Sequence, residues 1–248
     1  WNQGRVHTIK KLVDRMFVIM PFEKEFYAKF DYEVDYIGNP VADSVDAHVV
    51  SEDFISRNKL NNKPIIAVLP GSRKQEIENM LEIMLSIMPQ FREFQFVVAA
   101  VSTFPQSFYD RFNPNSNVRF LYDQTYDLLA HAEAALVTSG TATLETALLN
   151  VPQVVCYKTS FISYQIGKRV IKVPYISLVN LIAEKEVVTE LIQDQLNPTT
   201  LSAELKRILF DSHFIAKQKE GYKLLRKKIG DFKTAQTAAK LMVQYLKQ

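Results

Sequence analysis

Short, unbroken apolar runs alternate with segments that carry apolar residues at helical spacing. The runs lie at residues 65–69, 96–100, 134–137 and 154–157, and a further run at 118–121 is interrupted only by Arg119. The segments between them predict helices over 74–91, 125–131 and 141–150. Continuous apolar strands that alternate with helices are typical of a parallel sheet covered on both faces. With right-handed crossovers, the pattern predicts an α/β fold with a Rossmann-like, doubly wound sheet.

The residues before this alternation form a different pattern. Residues 16–20 are a short apolar run that predicts a buried strand, and residues 22–29 predict a short helix. Gly38-Asn39-Pro40 then interrupts the pattern and predicts a hinge between two units. We therefore divide the chain into residues 1–40 and residues 41–248.

The two ends of the chain add two expectations. The chain opens at Trp1 and passes at once into a basic amphipathic segment, which predicts that it continues a longer protein. From residue 186 onward the pattern is mainly helical. Asn197 followed by Pro198 predicts the start of the first of two or three C-terminal helices, because Asn caps helices and Pro fits their first position.

The composition is that of an ordinary globular chain. Its 248 residues are 47% hydrophobic and 23% charged, which excludes disorder, collagen-like repeats and a coiled-coil rod. The formal net charge of +3 is too small to indicate a nucleic-acid partner. Cys156 is the one cysteine, which excludes an internal disulfide, and the four histidines lack metal-ligand spacing, so we expect no metal site. No apolar run approaches the roughly 18 residues of a membrane span, and without a recognisable signal peptide we expect a cytoplasmic location.

The turn after the run at 65–69 is the first candidate for an anion site. Gly71 allows a tight turn, and the N-terminus of the following helix favours a negative charge. Arg73 adds a planar guanidinium that suits a phosphate. The alternative is a simple helix cap, since Ser72 and Gln75 have the spacing of a capping box. A helix cap would not explain Arg73, whereas Ser72 fits either a helix cap or an anion site.

The turn after the run at 134–137 is the second candidate. It places hydroxyl side chains and small residues around Gly140 at the start of a helix, which predicts another phosphate-binding turn. The turn lacks both the lysine of a P-loop and the three spaced glycines of a dinucleotide site. Glu145 follows one turn inside the helix. It gains about 0.3–1 kcal/mol from the helix dipole in any case, or it accepts hydrogen bonds from ribose hydroxyls beside a bound pyrophosphate.

Three further features carry two interpretations each. Asn180, inside the apolar run 177–182, either satisfies backbone groups or contacts a substrate. Lys158 faces either a phosphate or solvent. The segment 161–175 mixes apolar and basic side chains, and therefore fits either a surface on anionic lipid or a core helix with solvent-reaching lysines. The side chains proposed for that lipid surface are Phe161, Ile162, Tyr164, Lys168 and Arg169.

Five motifs occur in an order that resembles one known family. They are Pro21-Phe22-Glu23, Gly38-Asn39-Pro40-Val41-Ala42-Asp43, Leu69-Pro70-Gly71-Ser72-Arg73 with Glu76, Ser139-Gly140-Thr141-Ala142-Thr143-Leu144-Glu145 and Tyr175-Ile176-Ser177-Leu178-Val179-Asn180-Leu181-Ile182. Together they are similar to the lipid-A-disaccharide synthase family, bacterial glycosyltransferases of the GT-B fold. The similarity extends over essentially all 248 residues. The Ser-Gly-Thr…Glu element alone would indicate only the wider GT-B class.

The resemblance implies an architecture and a reaction. GT-B enzymes have two Rossmann-like domains that face each other across a cleft. Residues 41–248 would be the C-terminal, UDP-sugar-binding domain and residues 1–40 a remnant of the N-terminal one, towards which the final helix would return. The implied reaction moves 2,3-diacylglucosamine from UDP to 2,3-diacylglucosamine 1-phosphate (lipid X). The general base would lie in the missing N-terminal domain, so we expect this chain alone to bind nucleotide but to turn over poorly or not at all.

The resemblance also implies roles for individual residues. Arg73 is expected to stabilise charge and Asn180 to position substrate, and both match positions important for activity. Glu145 is expected to bind ribose. The remaining UDP contacts are expected to be Gly71, Ser72, Ser139, Gly140, Thr141, Ala142, Thr143 and Lys158.

The expected setting follows from the same resemblance. The substrates are the acylated UDP-sugar and lipid X, no cofactor or metal is expected, and the protein would bind peripherally to the inner face of the inner membrane. A homodimer is left open. Two alternatives remain: another GT-B enzyme, such as a UDP-N-acetylglucosamine epimerase or a peptidoglycan-type transferase, and a non-catalytic nucleotide-binding module.

Overall fold

The computed structural model describes residues 4–113, 117–159 and 174–247. The strands of these residues are β1 (Phe17–Val18), β2 (Asp35–Tyr36), β3 (Ile65–Leu69), β4 (Gln95–Ala100), β5 (Arg119–Tyr122), β6 (Ala132–Thr138), β7 (Gln153–Tyr157) and β8 (Thr189–Ile192). The helices are α1 (Gly4–Leu12), α2 (Glu23–Ala28), α3 (Pro40–Ala47), α4 (Phe54–Arg57), α5 (Lys74–Ser86), α6 (Gln106–Asp110), α7 (Thr125–Ala130), α8 (Thr141–Leu148), α9 (Leu178–Ala183), α10 (Pro198–Phe210), α11 (Ser212–Ile229) and α12 (Thr234–Tyr245). None of the helices in these ranges is long and apolar enough to span a membrane.

One parallel sheet organises the main body of the described chain. Its strand order is β5-β4-β3-β6-β7-β8, and β1 pairs with β2 apart from it. The chain adds β4 and β5 on one side of β3, and then crosses to the other side of β3 to add the last three strands. This order confirms the predicted doubly wound fold, and the point where the direction reverses lies between β3 and β6.

Helices cover both faces of the sheet, which explains why its central strands are apolar throughout. Every residue of β3 is buried. Ile66 and Val68 belong to the layer that contains Met80 of α5, whereas Ala67 belongs to the opposite layer with Leu128 of α7. Alternate residues therefore bury their side chains on opposite faces, and no position of such a strand is left for a polar residue.

Residues 4–37 have an apolar cluster of their own, formed around Val6, Val18, Tyr27 and Val34. Asn39 ties this cluster to the main body. Its side-chain Nδ2 donates to the Ile19 carbonyl at 3.0 Å, and its Oδ1 accepts from the Val41 N–H at 2.9 Å at the start of α3. The predicted hinge is therefore an anchored junction, while the division into two domains at residue 40 stays a prediction.

The last helix returns to the first residues, as the resemblance implied. The Tyr245 hydroxyl of α12 donates to Asp35 Oδ2 at 2.7 Å. The Tyr245 ring stacks on Phe17 with a centroid distance of 6.4 Å, and the Arg15 guanidinium lies 4.1 Å from its centroid. The C-terminal helix thus closes onto the small sheet formed by β1 and β2.

Two strands were missed by the sequence pattern, the two-residue strand β2 and the edge strand β8. The expectation of mainly helical structure from residue 186 onward is wrong at Thr189–Ile192, where β8 pairs with β7 at the edge of the sheet. Within β8 only Leu191 is buried, and the other residues are partly exposed. An edge strand of this kind lacks the continuous apolar run that marks a central strand. The helix start predicted at Asn197 and Pro198 is confirmed.

Two other elements are shorter than predicted. The helix expected over 74–91 ends at Ser86 and passes into a 3-10 turn, because Pro89 lacks the N–H that would continue it. The strand expected over 16–20 is limited to β1, which pairs only with β2 among the described residues.

Gly221 allows α11 to lie very close to Val187, and we expect this position to tolerate no side chain. It lies in α11, and a Cβ there would be 2.4 Å from Val187 Cγ1. Although Ala is about 1 kcal/mol better than Gly inside a helix, we expect Gly221→Ala to lower the free energy of unfolding by about 1–3 kcal/mol through overpacking. Urea denaturation measures this. In a Val187→Ala background, where the Cγ atoms are gone and only the Cβ of residue 187 remains close at 3.1 Å, the same change should cost clearly less, and an equal loss in both backgrounds would contradict the steric explanation.

Candidate functional site

The two predicted turns leave the sheet side by side at the point where the strand order reverses. The turn 70–73 follows β3, and the turn 139–140 follows β6. Leu69 pairs with Val137 in the parallel register, so both strands end at the same edge. Ligands of doubly wound sheets bind in the crevice at this edge and at this reversal.

A carboxylate of the chain itself holds the first turn. Glu76 Oε2 accepts from the N–H groups of Ser72 and Arg73, both at 3.3 Å, and Glu76 Oε1 accepts from Arg73 Nη1 at 2.8 Å. A Cβ at Gly71, whose φ is +101°, would lie 2.6 Å from Glu76 Oε2. The predicted capping box of Ser72 with Gln75 is wrong, because α5 begins one residue later and Glu76 is the capping carboxylate.

This cap changes what the first turn offers to a ligand. The N–H groups of Ser72 and Arg73 are already bonded to Glu76, so an anion must share them or displace that carboxylate. The guanidinium of Arg73 is the group best placed to meet an anion, since its side chain is 83% exposed beside the turn. A guanidinium has five N–H donors, and the contact with Glu76 uses one of its nitrogens. The assignment of Gly71 and Ser72 as UDP contacts stays a prediction.

The second turn is open on its outer side. A Cβ at Gly140 would meet no described atom within 4 Å. Thr141, the first residue of α8, is exposed, and Ala142 is partly exposed. The first N–H groups of a helix have no partner within it, so those of α8 can bind an anion. Thr143 is fully buried and its hydroxyl donates to the Gly140 carbonyl at 2.8 Å, which gives that side chain a part in holding the turn.

Ser139 connects the second turn to a neighbouring segment. Its N–H donates to the Cys156 carbonyl at 3.1 Å, and its hydroxyl donates to the Ile176 carbonyl at 2.9 Å. Just before it, Thr138 is 5% exposed, and its hydroxyl has no partner among the described residues. Thr138 is therefore an additional polar group at this edge, which the sequence analysis did not single out.

Glu145 lines a cleft beside the second turn. The cleft has a volume of about 310 Å³ and is bounded by His48, Asp123, Gln124, Thr125, Tyr126, Asp127 and Glu145. The Tyr126 hydroxyl donates to Glu145 Oε1 at 3.0 Å. Burial raises the pKa of the Glu145 carboxyl, and the hydrogen bond from Tyr126 offsets part of that rise. Tyr126 thus holds one oxygen of the Glu145 carboxylate, and the other oxygen can accept a further hydrogen bond.

His48 and Asp127 form the other wall of the cleft. His48 Nε2 lies 3.0 Å from Asp127 Oδ1, which also accepts from the Ser51 N–H at 2.9 Å. Burial alone would raise the pKa of Asp127, but the Ser51 N–H, His48 and Arg57 together lower it. The His48 ring packs edge-on against Tyr126 at a centroid distance of 5.4 Å. No local motif marks these residues, because their contacts join α7 to the segment after α3.

Asn180 is fully buried, and the hydrogen bonds of its side chain are internal. Its Oδ1 accepts from the N–H groups of Val187 and Val188 at 2.7 and 3.0 Å. Its Nδ2 donates to the Val188 carbonyl at 2.8 Å and to Glu190 Oε1 at 2.9 Å. Of the two interpretations, this geometry favours the satisfaction of backbone groups over direct contact with a substrate.

The remaining predicted residues divide into two groups. Lys158 is exposed directly after β7, at the same edge of the sheet as the two turns. The proposed lipid-surface residues Phe161, Ile162, Tyr164, Lys168 and Arg169 lie outside the described residues, so that surface stays a prediction.

The strand order and the paired turns define a Rossmann-like α/β domain of the GT-B type. The Staphylococcus aureus MnaA–UDP co-structure superposes with a TM-score of 0.64 at 13% identity, covering 97% of this chain and 62% of that one. A crystal structure of UDP-N-acetylglucosamine 2-epimerase gives a TM-score of 0.57 at 14% identity over 90% of this chain and 58% of that one. At such identities the similarity establishes the fold.

The sequence comparisons establish the family. The family model described as lipid-A-disaccharide synthetase matches residues 1–244. Lipid-A-disaccharide synthase of Syntrophus aciditrophicus is 38% identical over 100% of this chain and 67% of its own length, and that of Geobacter sulfurreducens is 34% identical over 99% and 66%. The chain belongs to the lipid-A-disaccharide synthase family. It spans about two thirds of the length of these curated relatives.

The hydrogen bond from Tyr126 should tune the titration of Glu145. Because this bond opposes the rise in pKa caused by burial, Tyr126→Phe is expected to raise the pKa of Glu145 further above its ordinary value. The carboxylate is then lost at a higher pH as the solution is acidified, which an NMR titration of the side-chain carboxyl carbon follows.

Tyr122→Phe is the matched control for this change. The Tyr122 hydroxyl is buried and has no partner among the described residues, so its removal should leave the titration of Glu145 unchanged. An equal pKa of Glu145 in native protein and Tyr126→Phe would contradict the proposed coupling.

Proposed function

We propose that this chain binds the UDP moiety of an acylated UDP-sugar at the reversal of its strand order. In this proposal the protein serves lipid A biosynthesis by moving 2,3-diacylglucosamine from UDP to 2,3-diacylglucosamine 1-phosphate. The observation that carries the proposal is the placement of turns 70–73 and 139–140 side by side, with the carboxylate of Glu145 in the adjoining cleft. The names of the relatives support the synthesis of a lipid A disaccharide, and the individual substrates are those that the resemblance implies.

The chemistry required of these turns is the stabilisation of a leaving group. When the sugar is transferred, negative charge grows on the departing diphosphate, and donors already in place lower the barrier. The first N–H groups of α8 and the exposed guanidinium of Arg73 are such donors. The contact with Glu76 keeps the guanidinium of Arg73 beside the turn and leaves its other N–H groups for an anion.

Glu145 is proposed to bind the ribose. A carboxylate accepts hydrogen bonds from two neighbouring hydroxyls, and Tyr126 holds one of its oxygens in place. Because burial raises the pKa of Glu145, the accepting form disappears at a higher pH than for an exposed glutamate. Nucleotide affinity should therefore weaken on mild acidification.

The acceptor side of the reaction is proposed to lie outside this chain. The general base would belong to the N-terminal domain of the whole protein, of which residues 1–40 are proposed to be a part. The isolated chain would then bind UDP without efficient transfer. The protein would act on the inner face of the inner membrane, where both acylated substrates reside.

Two other functions remain distinguishable by their products and ligands. A UDP-N-acetylglucosamine epimerase would convert a UDP-sugar that carries no long acyl chains, and it would need no acceptor lipid. A nucleotide-sensing module would bind NAD or ATP, yet the chain lacks the glycine and lysine motifs of those sites. Transfer that requires lipid X, measured with the whole protein, separates the proposed reaction from both.

UDP should stabilise the chain, whereas NAD and AMP should not. We expect Glu145→Gln to weaken UDP binding about tenfold, because a hydrogen bond to a charged group is lost on the ribose. The same change should raise the melting temperature of the unliganded chain by about 1–3 °C, since it removes a buried charge. Calorimetric titration and thermal unfolding measure the two effects.

Glu133→Gln is the control for this pair of measurements. Glu133 is exposed near the amino end of β6, away from the turn at the other end of that strand, and it undergoes the same change in charge. It should alter neither quantity. Unchanged UDP affinity in Glu145→Gln would remove the ribose assignment, and equal stabilisation by UDP and AMP would contradict uridine recognition.

Substitutions in the proposed lipid surface at 161–175 should weaken membrane binding. Replacing Phe161 and Ile162 by Asp puts two negative charges where apolar groups would enter an anionic bilayer, so co-sedimentation with anionic vesicles should fall strongly. Phe210→Asp is the control, because Phe210 is 62% exposed on α10 and lies far along the chain from the segment. Equal loss in both variants, or in neither, would contradict a specific surface at 161–175.

A further inference from the structure

Glu190 of the edge strand β8 gathers hydrogen bonds from a neighbouring segment. Its Oε2 accepts from the Ile176 N–H at 3.0 Å. Its Oε1 accepts from the Ser177 N–H at 2.9 Å, the Ser177 hydroxyl at 2.7 Å and Asn180 Nδ2 at 2.9 Å. All these partners donate, and only a carboxylate can accept from every one of them.

The carboxylate fixes a peptide that also contacts the second turn. The Ser177 N–H donates to Glu190, and the Ile176 carbonyl in the same peptide group accepts from the Ser139 hydroxyl at 2.9 Å. Ser139 directly precedes Gly140 and the first N–H groups of α8. A continuous chain of hydrogen bonds therefore leads from the edge of the sheet to the turn proposed to bind the diphosphate.

Asn180 is bonded to Glu190 and so supports this chain of hydrogen bonds. Its amide is bonded to Val187, Val188 and Glu190, so it fixes the start of β8 relative to α9. Ser177 adds a second link, because its hydroxyl both donates to Glu190 and accepts from the Asn180 N–H at 3.2 Å as the cap of α9. Charge-assisted bonds of this kind are short and strongly directional.

We propose that Glu190 is a positioning residue for nucleotide binding. It holds the Ile176–Ser177 peptides so that the Ile176 carbonyl fixes the Ser139 hydroxyl, and thereby sets the geometry of the turn around Gly140 without touching the ligand. Asn180 acts through Glu190 in the same way. This inference rests on the proposed function, because it concerns the affinity of the second turn for the diphosphate of UDP.

A purely structural role would have a different signature. If Glu190 only anchored α9 and β8, its loss would lower stability and leave the folded chain with native affinity for UDP. If it acts through Ser139, its effect on affinity must depend on the Ser139 hydroxyl. A double-mutant cycle between the two residues separates these cases.

The test uses Glu190→Gln, Ser139→Ala and the double variant, all titrated with UDP well below their melting temperatures. Glutamine keeps the size of the side chain but replaces an acceptor by a donor that faces N–H groups. We expect Glu190→Gln to weaken UDP binding about tenfold in the native background, as for a lost hydrogen bond to a charged group. In the Ser139→Ala background it should weaken binding less than about twofold. Glu186→Gln, an exposed site with the same change in charge, should have no effect.

Each outcome of the UDP titrations either supports or overturns the positioning role of Glu190. Native affinity in Glu190→Gln, or the same loss in both backgrounds, overturns the positioning role while UDP binding by the native chain keeps the proposed function. Failure of the native chain to bind UDP overturns both. If Glu190→Gln does not fold, Ser177→Ala removes one donor of the same chain of hydrogen bonds, and we expect about a threefold loss with the same dependence on Ser139.

Discussion

The parallel pairing of β3 with β6 is the constraint on which the site depends. These strands are separated along the chain by β4 and β5, yet Leu69 and Val137 are partners in register. The pairing brings two turns from distant parts of the sequence to one edge. All of β3 and residues 134–138 of β6 are buried, so the core on both faces of the sheet maintains the pairing up to the start of the turns.

The central sheet could be predicted from the sequence because burial on both faces leaves an unbroken apolar run. The run at 65–69 coincides with β3 for this reason. The edge strand β8 lacks that signal, since Thr189 and Glu190 are partly exposed. The helix cap at Asn197 was predictable because the capping residue and Pro198 are adjacent in sequence, so no information about distant contacts was needed.

The candidate site was predictable in position but not in its contacts. The glycines at 71 and 140 mark the turns, and the fold places both at the reversal of strand order. The carboxylate that caps α5 is Glu76 and not the residue with the expected spacing, because the start of the helix moves by one residue when Arg73 is extended. Tyr126 precedes Glu145 by 19 residues, and the two side chains meet because α7 and α8 both pack against β6.

At the carboxyl edge of the sheet, exposed residues and buried residues have different roles. Arg73 and Thr141 are exposed and can meet an anion, whereas Asn180 is fully buried and is hydrogen-bonded to Val188 and Glu190. A buried amide with unsatisfied atoms would lower the stability of the fold by about 1–3 kcal/mol. A full set of hydrogen bonds for the Asn180 side chain could therefore be expected from the sequence, but the identity of its partners could not. These hydrogen bonds lead through Glu190 towards Ser139. In our proposal, Asn180 thus acts on nucleotide binding through Glu190, which positions the Ser139 hydroxyl beside the second turn.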